Sequence, residues 1–142
     1  MMSLNDLISP QAVVASLKAN SKKQALIELS EKAAELSGID SREVLDALIQ
    51  RERLGSTGIG GGIAIPHGKL AKCHRIFGVF ARLEKPIDFE ALDDAPVDLV
   101  FLLVAPENAG APMPVSRMPE ATNVERSGAA ESRVTLTFVA RK

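Results

Sequence analysis

His67 closes the segment Gly55-Ser-Thr-Gly-Ile-Gly-Gly-Gly-Ile-Ala-Ile-Pro-His67 and is followed by Gly68-Lys69. Near neutral pH a large fraction of an unperturbed imidazole is uncharged and carries a lone pair. Such a ring can attack phosphorus directly, with no separate base to activate it. The neighbouring residue types suit that task. Glycines let backbone N–H groups approach phosphate oxygens, Ser56 and Thr57 offer hydroxyl donors, and Arg51, just upstream, can neutralise a transferring group. Pro66 restrains the backbone immediately before the histidine. The same residues also allow a histidine that is structural, one that positions a substrate, or a loop that binds a small anion without covalent chemistry. Residue types alone leave these readings open.

Competing motifs fail on spacing. A Walker A loop needs four residues between its first Gly and its Gly-Lys pair, then Ser or Thr. Here five residues separate Gly62 from Gly68, and Leu70 follows Lys69. A dinucleotide fingerprint starting at Gly58 or Gly60 would need glycine where Ile63 or Ile65 stands. Gly55-Ser56-Thr57-Gly58 lacks the spacing of a serine nucleophile elbow. His67, Cys73 and His74 match no zinc spacing and have no paired carboxylate nearby, so no metal and no cofactor are expected. His74, between Cys73 and Arg75, reads as an exposed residue entering a strand, and Cys73 as a small, partly buried one.

The elements that must carry these residues are legible in the hydrophobic pattern. Ala25, Leu26, Leu29, Ala33 and Leu36 recur at helical spacing, with Ser21 and Gln24 as a capping box and Gly38 as a stop. A second helix starts after Asp40, with Glu43 reaching back to complete its cap. It buries Val44, Leu45, Leu48 and Ile49, carries Arg51, Glu52 and Arg53 on its last turn, and ends at Gly55. Residues 55–62 hold five glycines in eight positions, which disfavours a helix. Strands are expected at 76–83, 97–105 and 13–17, the second apolar enough to be covered on both faces. The acidic stretch 86–96 between the first two reads as a turn or short helix. Residues 111–132, with Pro112, Pro114 and Pro119, read as loop or disorder, and 133–142 alternates as a strand does. Helices and strands mixed in this way predict an α/β fold with a mixed β-sheet flanked by helices.

The chain has 142 residues, 46% of them hydrophobic, which suits one core. Seventeen basic and eighteen acidic side chains leave a net charge of −1, and aromatic residues make up 4% with no Trp or Tyr. That balance gives neither the positive field nor the stacking surface that nucleic acid requires. One cysteine excludes an internal disulfide framework, residues 1–10 have no signal-peptide pattern, and no apolar run is long enough to insert in a membrane. A cytoplasmic location is expected.

The run Arg51-Glu-Arg-Leu-Gly-Ser-Thr-Gly-Ile-Gly60, continuing through Gly-Gly-Ile-Ala-Ile-Pro-His67-Gly-Lys-Leu, resembles the phosphorylation segment of the IIA proteins of the mannitol/fructose class of the bacterial phosphotransferase system. More narrowly, it resembles their nitrogen-regulatory branch. The similarity continues in residues 78–111 and, earlier, in 21–36, so it covers about residues 3–111. The resemblance implies a mixed sheet with helices and a histidine that takes phosphate from a phosphohistidine of an HPr-like carrier. By position the phosphorylated residue falls on His67 and the phosphate-contacting arginine on Arg51, while Ser56 and Thr57 fall in the loop lining the site. Sugar-specific members pass the phosphate to a IIB domain. The regulatory branch uses its phosphorylation state to control target proteins, including potassium-transport regulators and sensor kinases.

The pattern departs from that family after Ala111. The family continues into helices whose start carries a second active-site histidine. Here Pro112-Met113-Pro114 stands in that place, and no histidine follows His74. The chain therefore divides into a IIA-like phosphotransfer domain, 1–111, and an atypical tail, 112–142, that completes the domain or swaps with it. An alternative to phosphotransfer follows from the missing histidine: a degenerate regulatory binding module that no longer takes phosphate. Loss of several buried Leu or Val side chains at ~1.5 to 3 kcal/mol each would remove much of a stability of ~5 to 15 kcal/mol. Homo-oligomerisation through a strand at 133–142 on another chain's edge is one remedy.

Overall fold

The computed structural model describes residues 10–107, 120–127 and 133–139. A short 3₁₀ turn, Pro10–Ala12, leads into β1 (Val13–Leu17), followed by α1 (Lys22–Ser37) and α2 (Ser41–Arg53). The strands β2 (Gly58–Gly60), β3 (Ile63–Ala64), β4 (His67–Leu70), β5 (Phe77–Ile87) and β6 (Val97–Pro106) then complete a sheet. Its order is β1-β5-β6-β3-β2, with β4 also paired to β6. β5 runs antiparallel to β6, whereas β1 is parallel to β5, and β3 and β4 are parallel to β6. The mixed sheet with helices expected from the pattern is present.

The helices begin and end where their caps stand. The Ser21 hydroxyl accepts from the Gln24 N–H at 3.1 Å. Gln24 in turn accepts from the Asn20 N–H, one residue earlier than a capping box requires. Gly38 closes α1 with its N–H on the Ala34 carbonyl. Asp40 caps α2 through the Arg42 N–H at 2.8 Å. Glu43, expected to reach back to this cap, instead pairs with Lys72 at 2.8 Å, an ion pair across to the turn after β4.

Ala25, Leu26, Leu29, Ala33, Val44 and Leu48 of the helices pack with Val79, Ala81 and Leu83 of β5 and with Val100, Leu102 and Val104 of β6 in one core. β6 is buried along both faces, since Leu99, Phe101 and Leu103 are buried too, as its continuous apolar sequence requires. A strand buried on both sides is a rigid rail, and β3 and β4 lie in sequence along one of its edges: Ile63 is opposite Leu99 and His67 opposite Leu103.

Two expectations are corrected here. β5 does not stop at Leu83 but continues through Pro86 to Ile87. The missing proline N–H is accommodated by a register shift between Arg82 and Ile87. Residues 88–96 take the turn form of the two expected there: Asp88 accepts from the Glu90 N–H, and Asp93 accepts from the N–H groups of Gly61 and Ala95. Those two donors hold the Asp93 carboxyl below its usual range. Finally, part of the stretch read as loop is a strand, β7 (Glu120–Ser127), paired antiparallel with β8 (Arg133–Val139). This hairpin belongs to a second compact unit of the chain. Alternation foretold β8 but not β7, whose residues carry little apolar signal and whose extension rests on the pairing itself. β8, which lies in the stretch offered as one route to self-association, pairs with β7 of the same chain.

Candidate functional site

The residues singled out in the sequence meet where α2 ends against β4. Ala47 and Arg51 lie one turn apart on α2, and Ala47 packs on Gly68. A side-chain carbon at Gly68 would sit 3.1 Å from Cβ of Ala47 and 3.4 Å from its carbonyl carbon. The bare glycine therefore sets how closely the helix approaches the strand, and one turn further along Arg51 reaches His67. Gly68→Val is expected to push α2 off β4 and destabilise the fold by about 1 to 3 kcal/mol, read as a lower urea midpoint. An unchanged midpoint would show that this approach is not tight.

Arg51 Nε–H donates to His67 Nε2 at 3.0 Å. The other ring nitrogen, Nδ1, is 2.9 Å from the Ile65 carbonyl oxygen. A carbonyl can only accept, so Nδ1 carries the ring hydrogen and Nε2 carries the lone pair. The guanidinium also holds the end of its own helix, with Nη1 donating to the Gly55 carbonyl at 2.9 Å.

His67 is partly buried. Burial is the main cause that pulls its pKa below the ordinary value. The Ile65 carbonyl opposes it, Arg51 adds to it, Glu52 opposes it and Lys69 adds to it. The ring is therefore neutral at physiological pH. An unfolded chain, with its imidazole near 6.5, binds more protons than the folded one between that value and the lower folded pKa. Stability contributed by neutral His67 is fully present above about pH 6.5 and is lost as the pH falls through the folded pKa. Urea denaturation of wild type and His67→Gln between pH 7.5 and 5.5 is expected to show a steeper loss for wild type, and equal slopes would contradict it.

Ser56 and Thr57 stand in the loop, but their hydroxyl hydrogens are committed elsewhere. Ser56 donates to the Phe89 carbonyl at 2.7 Å and accepts from the Gly58 N–H. Thr57, which is buried, donates its hydroxyl to Glu52. Both residues thus fasten the loop, and their expected use as hydroxyl donors to phosphate does not fit this arrangement. Gly60, Gly61 and Gly62, with φ of 100°, 66° and 78°, turn the β2–β3 hairpin. Only glycine takes such angles readily.

Two participants escaped the sequence reading. The Ile65 carbonyl is a backbone atom with no residue-type signature. Glu52 did leave a signal, because a carboxylate in the last turn of a helix opposes the helix dipole and so calls for a partner elsewhere. His74 is exposed and apart from the site, and the buried Cys73 thiol donates to the Arg75 carbonyl. Among the described residues no group of three or more His, Cys, Asp or Glu side chains could hold a metal.

A mixed sheet carrying a neutral histidine at the edge of its central strand, faced by an arginine from the preceding helix, defines a class of histidine-bearing α/β domains. The chain belongs to the family described as the phosphoenolpyruvate-dependent sugar phosphotransferase system, EIIA 2, whose model matches residues 6–117. It is 62% identical over 110 residues to a nitrogen regulatory protein of Bradyrhizobium diazoefficiens, covering 78% of this chain and 72% of that one. Identity to a nitrogen regulatory protein of Klebsiella oxytoca is 46% over 106 residues, covering 74% of this chain and 65% of the relative. The crystal structure of nitrogen regulatory protein IIA-Ntr from Neisseria meningitidis superposes with a TM-score of 0.71 at 36% identity, covering 75% of this chain and 73% of that one. IIA mannitol from Escherichia coli shares the fold, with a TM-score of 0.62 at 24% identity over 71% of this chain and 73% of that one. The chain is a IIA-type domain similar to nitrogen regulatory proteins. Among the described residues no helix is long and apolar enough to cross a membrane.

Proposed function

We propose that His67 Nε2 accepts a phosphoryl group from a phosphohistidine of an HPr-like carrier, and that the phosphorylated and free forms differ in their hold on regulatory target proteins concerned with nitrogen or potassium. The observation that carries this reading is the ring's double engagement, Nδ1–H on the Ile65 carbonyl and Nε2 under the Arg51 guanidinium. It presents a neutral nitrogen lone pair beside a fixed cation, as attack on an anionic phosphoryl group demands. In the transfer, Arg51 releases Nε2, whose lone pair forms the new N–P bond as the carrier's N–P bond breaks and its electron pair returns to the carrier imidazole. Nδ1–H stays on the Ile65 carbonyl, which meets the positive charge appearing on the ring. The freed guanidinium then faces the phosphoryl oxygens.

The domain needs no cofactor for this chemistry, and a cytoplasmic setting follows from a cytoplasmic phosphate donor. The same reading takes residues 1–111 as the IIA-like part and 112–142 as the atypical tail. The test is incubation with phosphoenolpyruvate, the upstream enzyme and an HPr-like carrier, followed by mass measurement. One acid-labile phosphate on His67 is expected. Its absence, with partner binding unchanged in His67→Ala, would instead establish the degenerate binding module that the missing second histidine suggests.

A further inference from the structure

Glu52 sits at the junction of four segments. Its side chain is 7% exposed, and its Oε2 lies 2.8 Å from the Lys22 ammonium at the start of α1. The same oxygen accepts from the Thr57 N–H at 3.2 Å, while Oε1 accepts the Thr57 hydroxyl. Lys22 in turn lies 4.9 Å above the Phe89 ring and 3.6 Å from Glu90, and the Phe89 carbonyl holds Ser56. A carboxylate at the wrong end of a helix dipole is thus paired, hydrogen-bonded and largely removed from water, and both of its oxygens grip one loop residue.

That grip is transmitted to the histidine. The Thr57 carbonyl accepts from the Ile65 N–H at 2.9 Å, and the Ile65 carbonyl accepts from His67 Nδ1–H at 2.9 Å. Ile65 lies between β3 and β4: its own N–H is held by Thr57, and just beyond it the Pro66 carbonyl accepts from the Leu103 N–H of β6 at 3.0 Å. Pro66, next to it, has no N–H to offer. The bond to Thr57 holds Ile65 on one side and the Leu103 bond to Pro66 holds the chain on the other, and the direction of the Ile65 carbonyl between them decides which ring nitrogen keeps the hydrogen.

We propose that Glu52 is a positioning residue for His67: by clamping Thr57 it fixes the Ile65 carbonyl, and so selects the tautomer that leaves the Nε2 lone pair available for attack. The role in attack rests on the phosphotransfer reading above. The control of the ring does not. Lys22 holds the carboxylate in place, and Thr57 acts as a coupling between helix and strand.

The experiment uses the full ¹⁵N-labelled chain. Long-range ¹H–¹⁵N spectra report the tautomer of the His67 ring, with His74 as internal reference, and phosphorylation kinetics are measured on the same samples. In wild type Nδ1 is expected to carry the hydrogen. In Thr57→Val and Glu52→Gln the tautomer ratio is expected to move about 3- to 10-fold toward Nε2–H, as loss of one neutral hydrogen bond implies, with phosphorylation slowed by a similar factor. Thr57→Ser, which keeps both donors, restores the wild-type ring spectrum and rate. Should either of the first two variants not fold, Glu52→Asp carries the test, because it keeps the charge beside Lys22 and withdraws the carboxylate by one methylene.

A folded Thr57→Val or Glu52→Gln (or Glu52→Asp in their place) with the wild-type ring spectrum overturns the proposal, whatever its melting temperature. So does a wild-type ring that already carries its hydrogen on Nε2. A ring that responds in a chain that takes no phosphate supports the positioning and removes the phosphotransfer reading. Phosphorylation with an unresponsive ring does the reverse.

Discussion

His67→Gln is expected to take up no acid-labile phosphate, a fall in transfer rate of at least ~10⁴-fold, the scale seen when the nucleophile of a site is removed. Glutamine retains a polar group at the start of β4 but offers no basic lone pair, because its amide nitrogen is conjugated with the carbonyl. His74→Gln is the matched control. That residue is exposed and lies between β4 and β5, away from the Arg51 guanidinium, so its loss is expected to leave labelling unchanged. Radiolabel transfer and intact-mass measurement on the two variants check both halves. Label on His67→Gln, or its loss from His74→Gln, would move the nucleophile elsewhere.

Arg51→Ala is expected to slow phosphoryl transfer to His67 by about 10²- to 10³-fold, as removal of one well-placed charge-stabilising donor does in other sites. The side chain has two partners in the free protein, His67 Nε2 and the Gly55 carbonyl. Its removal therefore has a second, opposite signature. The imidazole loses a nearby cation that disfavours its protonation, so its pKa is expected to rise toward 6.5 while burial, Lys69 and the Ile65 carbonyl remain. A slower reaction accompanied by a more basic ring separates electrostatic help in the transition state from mere loss of nucleophilicity. Arg51→Lys restores the charge but not the planar guanidinium that reaches two acceptors at once, and it is expected to recover only part of the rate. Single-turnover kinetics together with NMR titration of His67 check these statements. A rate unaffected by Arg51→Ala would leave the guanidinium as a helix-end fastening only.

Much of the site was legible because its signals are local. Ser21 and Asp40 cap helices through their own side chains, apolar spacing places Leu26, Leu29 and Leu48 inward, and a proline-histidine pair after a glycine cluster marks a specialised loop. The unbroken apolar run of β6 announces a strand with both faces covered. The Glu43 contact went unread because Lys72 lies 29 residues away in sequence, and a long-range ion pair leaves no periodic trace. β7 went unread for the same reason: its extension is supplied by its partner, not by its residues.

His67 and Arg51, as residue types beside a glycine cluster, were determined by the sequence alone, which left several chemistries open to them. Which nitrogen of His67 is free, and where the Ser56 and Thr57 hydroxyls point, was decided only by tertiary structure. The physical reason is that the tautomer depends on a backbone carbonyl at Ile65, and Ile65 is held between Thr57, itself bonded to a glutamate of another element, and the Pro66 bond to β6. Hydrogen-bond direction belongs to the packed arrangement and has no representation in the order of side chains.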